Sequence, residues 1–501
     1  MVSENCLAGC AANYSCGELI LPGPAGQQAE SFAPWVWVKI GEGDSITVGN
    51  ESYPSGDNKA CIKSFEVGWI GMPTLQVEIL DEAGGRMGAI LDSIVKCPTN
   101  IGKGTTLTYQ FGWIINTCQK QKQVIPSEIF TATIEKLEIN YTEGKIKYKI
   151  HANCVGPLVE IIRNNGTFGT AQNKITIETA IRALCAREPQ INVRFMERQP
   201  DGKWVDTEFD WVGKGKGGVV NGDTGWQSDN SNRLAVIVKW LEPYRVNDGT
   251  AEGAGIATAW WPTETNMLVI FKDVLKSPFV CRGTEDGFNV GTFIVNGGKC
   301  SPVIEFSPTF DWASATSNFV AGGGTSGPGS SFNQNYVDAK KEGQDKECGA
   351  ETGMQQTLTI TQQAWDVYGP KNAWTETMRS QRAHHLAARI TGDIQGMEAD
   401  LKILGDPRPQ FCRLAAGETA SIVAINPFHL GGSGCGGWLA EPGCNPIMSN
   451  KRWQVKGFNH SIQSGSYTTT LKLTLALGVV DIPIGEPLGG VGSGGPVVTG
   501  G

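Results

Sequence analysis

Apolar side chains recur at alternate positions in several stretches of the chain, the period of a strand with one buried face. Ile62 to Trp69 and Thr74 to Leu80, separated by Ile70-Gly71-Met72-Pro73, predict a hairpin. In its second strand Leu75, Val77 and Ile79 alternate with Gln76 and Glu78, one face dry and the other wet. Thr131 to Ile139 and Lys145 to His151 flank a turn at Asn140 to Gly144, and Trp453 to Ile462 and Ser466 to Leu477 flank a turn at Gly465. Shorter strands are predicted over Trp35 to Ile40, Asn192 to Glu197 and Met267 to Phe271. The period becomes helical in two places. Ile177, Ala180, Ile181, Leu184 and Cys185 follow Thr176, a good N-cap, and Leu234, Ile237, Val238 and Leu241 follow Asn230-Ser231-Asn232 and end at Pro243. A further helix is expected over about Trp374 to Leu386, and a strand pair over Ala388 to Leu404.

Two distant regions share one plan. Val77-Glu78-Ile79-Leu80-Asp81-Glu82 precedes the hairpin turning at Gly144, and Leu401-Lys402-Ile403-Leu404-Gly405-Asp406 precedes the hairpin turning at Gly465. Each half runs strand, acidic turn, variable insert and long terminal hairpin, which points to an internal duplication of a sheet module. Each terminal strand also has a polar face, Lys145, Lys147 and Lys149 in one and Thr468, Thr470 and Lys472 in the other. Two readings of the lysines stay open: a solvated face, or the charged wall of a central channel.

Composition narrows the function. Gly is 65 of 501 residues and charged residues only 18%, a turn-rich and β-rich balance, and a net charge of −8 offers polyanions no general attraction. Met1 to Asn13 lacks a basic cluster and an apolar run, and no stretch approaches the ~18 apolar residues of a membrane helix, so a soluble chain without a membrane partner is expected. Cys6, Cys10 and Cys16 lack paired zinc-ligand spacing, and no metal or other cofactor is expected. For most of the fourteen cysteines burial as a small apolar side chain is the default. Cys435 and Cys444 are the candidate disulfide, because Gly436, Gly437, Pro442 and Gly443 can form the loop between them; such a bridge contributes about 2–3 kcal/mol.

Catalytic signatures do not emerge. HExxH, GxSxG and the phosphate-loop pattern are missing from the sequence, and Gly213 to Gly218 reads as a loop tip. Cys412 or Cys435 can be drawn with His385 or His460, and Asp206 with Glu208, but neither pairing is specific without geometry.

Longer segments carry a resemblance. Asn289-Val290-Gly291-Thr292-Phe293-Ile294-Val295-Asn296-Gly297-Gly298-Lys299-Cys300-Ser301-Pro302-Val303-Ile304-Glu305-Phe306-Ser307-Pro308 resembles a recurrent stretch of the baseplate hub proteins of contractile-tailed bacteriophages. Trp226 to Ala235 with Lys239 to Pro243, Leu404-Gly405-Asp406-Pro407, Ile425 to His429, and Gly457 to Ile462 with Tyr467 to Leu471 are similar to further segments of that family in the same order, over about residues 60 to 477. The resemblance implies a mainly β fold with an α+β insert: two tube-like β-barrel or sheet domains related by internal duplication, plus peripheral domains. It implies a structural virion protein and no enzyme, a homotrimer adapting the six-fold tail tube to the three-fold central spike around a channel for genome passage. The implied partners are the chain itself, a tail-tube or tube-initiator protein, the spike, baseplate wedge proteins and DNA in transit, in a particle assembled in the host cytoplasm. Lys145, Lys147, Lys149, Thr468, Thr470 and Lys472 are the candidate lumen-facing residues. Cysteines that oxidise after release of the particle are a second reading of the thiols, and the alternative function is a tail-associated cell-wall hydrolase or peptidase.

The expected division is an N-terminal arm (1–59), a first tube-like β domain (60–163), an α+β insert (164–275), a joining β segment (276–312), a flexible, partly helical excursion (313–373), a second tube-like β domain (374–481) and a flexible tail (482–501).

Overall fold

The structure is a computed structural model that describes residues 19–20, 28–41, 46–50, 60–70, 72–82, 105–117, 122–142, 144–155, 163–169, 175–198, 204–207, 226–241, 256–261, 263–272, 289–295, 302–310, 318–324, 332–338, 355–359, 397–413, 419–424 and 451–474. In chain order the strands are β1 (Leu19–Ile20), β2 (Gln28–Ile40), β3 (Ile46–Gly49), β4 (Ala60–Ile70), β5 (Met72–Asp81), β6 (Thr106–Thr117), β7 (Lys122–Pro126), β8 (Phe130–Thr142), β9 (Lys145–Asn153), β10 (Arg163–Phe168), β11 (Asn192–Arg198), β12 (Trp204–Asp206), β13 (Trp226–Asn232), β14 (Ile256–Trp260), β15 (Met267–Lys272), β16 (Asn289–Val295), β17 (Val303–Phe310), β18 (Asn318–Gly324), β19 (Phe332–Asp338), β20 (Gln355–Thr359), β21 (Met397–Leu404), β22 (Thr419–Ala424), β23 (Lys451–Gln463) and β24 (Ser466–Thr474). The helices are α1 (Ile177–Cys185) and α2 (Arg233–Leu241). The fold is mainly β.

One large sheet holds both predicted modules. Its path is β1-β2-β6-β8-β9-β5-β4-β23-β24-β21-β17, with β22 on β23 and β16 on β22. Numbering six strands of each half in chain order, the first module (β2, β4, β5, β6, β8, β9) and the second (β16, β17, β21, β22, β23, β24) both read 1-4-5-6-3-2 across the sheet. The registers coincide as well. Val77 faces Ile150 as Leu401 faces Leu471, and Thr106 faces Thr133 as Thr419 faces Gln454. Irregularities fall at equivalent places: at Glu135 in β8 and Lys456 in β23, and at Lys63 in β4 and Ile304 in β17. Only the first strand differs, β2 running antiparallel to β6 and β16 parallel to β22. Because a one-residue slip would send every core side chain to the wet face, matched registers and bulges are strong marks of a repeated module.

The sheet curls so that its apolar face closes on itself. β6 stands four places from β4 in the path, yet Phe111 lies 5.4 Å from Phe65 and 6.2 Å from Trp69, ring centre to ring centre. Trp113 reaches across to Tyr467 of the second module at 5.1 Å and donates from Nε1 to Gly405 O at 2.8 Å. Both modules thus share one core running from Val36 and Val38 through Phe65, Val77 and Ile150 to Leu401, Phe458 and Leu471.

Several expected boundaries are corrected. Within the supposed arm, Gln28–Ile40 and Ile46–Gly49 are strands of the main sheet; Pro34 hides the alternation, yet Val36, Val38 and Ile40 are buried. The supposed joining segment supplies β16 and β17, the first two strands of the second module, so that module begins well before residue 374. A long insert separates them from β21, and nothing local in the sequence ties them to it. In the supposed excursion, β18, β19 and β20 form a separate three-stranded sheet; backbone ladders need no large side chains, so the Gly-rich Asn318–Gly324 can still pair. Of Ala388 to Leu404 the described part is the single strand β21. The helix expected at 374–386, the tail, and Cys6, Cys10, Cys16, Cys435 and Cys444 lie outside the described residues.

The insert follows the helical periods. Thr176 Oγ1 accepts from Thr179 N at 3.1 Å, and Asn232 Oδ1 accepts from Ala235 N at 2.8 Å, capping α1 and α2. Both helices bury their apolar faces with Phe195, Leu268 and Ile270 of a four-stranded sheet ordered β12-β11-β15-β14.

Candidate assembly surface

The wet face of the main sheet is continuous across both modules. Opposite residues of paired strands point the same way, and His151, Gln76, Glu66, Ser461, Thr468 and Leu404 stand side by side across β9, β5, β4, β23, β24 and β21. Lys145, Lys147 and Lys149 share that face with His151, and Thr470 and Lys472 share it with Thr468, while Tyr148, Ile150, Thr469 and Leu471 turn into the core. All six candidate lumen residues therefore lie on one surface.

That surface is charge-balanced, which corrects the view of β9 as simply basic. Lys145 Nζ meets Glu82 at 2.8 Å, Lys147 meets Glu78 at 3.3 Å, Lys136 meets Glu138 at 2.6 Å, and Lys472 meets Asp400 at 2.5 Å. The hydrogen bonds from Lys145 and Lys136 hold the Glu82 and Glu138 carboxyls below the usual carboxylate range. Strand alternation points to Lys145 and Lys147, but their acidic partners, Glu82 and Glu78, come from β5 and the residue after it, far back in the chain, where local sequence gives no cue.

The modules meet at β4 and β23. Trp69, Gly68, Val67, Glu66, Phe65 and Ser64 face Phe458, Asn459, His460, Ser461, Ile462 and Gln463 in antiparallel register. Asn459 Nδ2 donates across the seam to Glu66 at 3.0 Å. Close approach needs Gly457, whose added Cβ would stand 2.6 Å from Trp69 O. Beneath the seam His460 is fully buried. Its Nε2 donates to Phe411 O at 2.8 Å, which leaves Nδ1 to accept from the hydroxyls of Tyr467 and Thr469, each at 3.0 Å. Burial lowers its pKa to about 4, against the opposing effect of the Phe411 carbonyl. Cys412 Sγ lies 3.9 Å from Nε2, and burial pushes this thiol well above the usual range. A neutral imidazole whose Nε2 already carries a committed proton cannot activate a buried thiol, so the pair is structural. Asp206, the other candidate, is held by a two-pronged contact from Arg194 at 3.1 and 3.0 Å, and Glu208 lies outside the described residues.

Among the sheet edges that pair with no strand of the described residues are the outer edge of β17 and the half of β8 beyond Ile134, since β6 pairs only with Phe130 to Thr133. Both expose apolar groups, Ile304 at 55%, Ile139 at 37% and Tyr141 at 77%.

No protein-family model and no curated protein matches the chain. Among solved structures it is similar to the tail protein from Neisseria meningitidis MC58, at 10% identity and a TM-score of 0.46, covering 89% of this chain and 96% of that one. It is similar to the 43 kDa tail protein of prophage MuSo2 from Shewanella oneidensis, at 11% identity and a TM-score of 0.45, covering 88% and 96%. It is also similar to the E. coli c3393 protein, a component of the type VI secretion system, at 8% identity and a TM-score of 0.38, covering 87% and 76%.

Proposed function

We propose that the chain is a structural tail protein of a contractile bacteriophage, the homotrimeric hub of its baseplate. The observation that carries the reading is the repeated module, two copies of one strand order joined edge to edge in a single sheet. Three such chains present six similar modules at steps of about 60°, while the chains themselves repeat only three times. A body of that kind can seat a six-fold tail tube on one side and a three-fold spike on the other, with wedge proteins around it. The wet face would line the channel, with Lys145, Lys147, Lys149, Thr468, Thr470 and Lys472 toward the lumen. Paired charges suit that place, because unneutralised lysines would hold a passing polyanion by releasing its counterions. The segments similar to hub proteins support the same reading. The native mass of the purified chain tests it: a trimer is expected, and a monomer that persists at high concentration would overturn it. Clearing of peptidoglycan by the pure protein would support the hydrolase reading instead, which no contact among the described residues favours.

A further inference from the structure

The unpaired edges of β17 and distal β8 are the two halves of a junction that the chain already makes once. Within the chain, strand 2 of the first module (β4) is seated on the distal half of strand 5 of the second (β23). The equivalents of these strands are β17 and β8, whose corresponding edges pair with no strand among the described residues. Shared registers fix the correspondence. Phe65 facing Val77 matches Phe306 facing Leu401, and Ile462 facing Tyr467 across the turn at Gly465 matches Tyr141 facing Ile146 across the turn at Gly144.

We infer that β17 of one chain adds to the distal half of β8 of a second copy, in antiparallel register, with Phe306 opposite Tyr141, Ser307 opposite Asn140 and Pro308 opposite Ile139. This deepens the ring reading and rests on it for the number of copies. Burial supports the pairing. In β23 the positions equivalent to Leu137, Ile139 and Tyr141 are Phe458, His460 and Ile462, which the seated β4 leaves 0%, 0% and 4% exposed. In β8 the same positions are partly or largely bare.

Backbone polarity fits as well. Leu404 N donates to Pro302 O, so alternate residues of β21, among them Asp400 and Lys402, turn their backbone groups to Ser307 and Glu305. Phe306, Pro308 and Phe310 then turn theirs to the free edge. Pro308 has no N–H to offer there, so the intermolecular ladder loses that one donor, while the ladder to β21 stays whole. Lys136 occupies the place of Gly457, so the incoming strand must diverge at Phe310, where β17 ends.

Asn140 and Ser307 would form a non-hydrogen-bonded pair, where antiparallel side chains come closest and a disulfide can close. The Asn140→Cys, Ser307→Cys double variant, treated with diamide, is expected to give covalent trimers on a non-reducing gel. Peptide mapping should join the segments around 140 and 307, and neither single variant should form that link. Tyr141→Asp, at a position exposed in the free chain, is expected to leave the thermal melt of the dissociated chain unchanged and to raise the dissociation concentration of the oligomer roughly tenfold or more. A trimer that lacks the link and ignores Tyr141→Asp would overturn this junction and leave the ring reading standing. Linked open chains that never close at three would sustain the junction and overturn the ring. A monomer without the link would overturn both.

Discussion

His460 ties the second module to the seam from inside, and its chemistry makes stability depend on pH. The folded pKa of about 4 lies below the ordinary imidazole value, so between about pH 4 and 6.5 the unfolded chain binds the extra proton and the folded chain does not. Stability from this residue is therefore complete above pH 6.5 and is lost as the pH falls toward 4, by about 3 kcal/mol. Urea denaturation at pH 7 and pH 4.5 measures the effect, and His460→Gln should remove that part of the difference. Gly405 is a second sensitive point. Its backbone lies on the Tyr467 ring, where an added Cβ would stand 2.2 Å from Cγ, so Gly405→Ala should cost about 3 kcal/mol through overpacking. Gly144 has φ of +76° in open space, so Gly144→Ala should cost only about 1 kcal/mol, as backbone strain alone. Thermal melts of the two variants should rank accordingly.

At the scale of elements, Trp113 joins β6 to the far module through its contact with Tyr467 and its hydrogen bond to Gly405 O. Trp113→Phe keeps most of the ring and leaves that buried carbonyl unpaired, so a loss of about 1–3 kcal/mol is expected in equilibrium unfolding. Alternating patterns made the two terminal hairpins legible in the sequence to within a few residues, because each buries one face and wets the other. The Val77 and Leu401 segments that share a sequence plan are the same pair that the registers match. What stayed hidden was non-local. Strands β16 and β17 lie far along the chain from β21, and no side-chain period says which strand they join. The alternating pattern shows only the C-terminal part of β2, because Pro34 interrupts it, although Pro34 faces Trp113 in the ladder. The candidate surface was half legible for the same reason: strand alternation located Lys145, Lys147 and Lys149, but Glu78 and Glu82 come from the preceding hairpin.

Across the whole molecule the wet face should be indifferent to DNA while its carboxylates remain charged. Glu78→Gln with Glu82→Gln would strip the partners from Lys147 and Lys145. Binding of labelled duplex DNA, followed by anisotropy, should then rise and should weaken steeply as salt is added. Equal binding by the parent and the variant would show that the lysines are not restrained by their partners. Folding should suffer little, since solvent screens exposed ion pairs of this kind.

The seam between β4 and β23 has a kinetic meaning. Its two sides belong to one polypeptide, so it closes as a unimolecular step, and dilution cannot open it. A seam between β17 and β8 of different chains closes only when chains meet, and its strength depends on protein concentration. A ring built from both would alternate permanent and reversible joints. Assembly would then need two encounters where six separate modules would need five, the last joint of the ring closing within the assembled body, and each arriving chain would bring one joint already made. Damage would also be uneven: dilution or an edge substitution should shed whole chains, each still carrying its pair of modules.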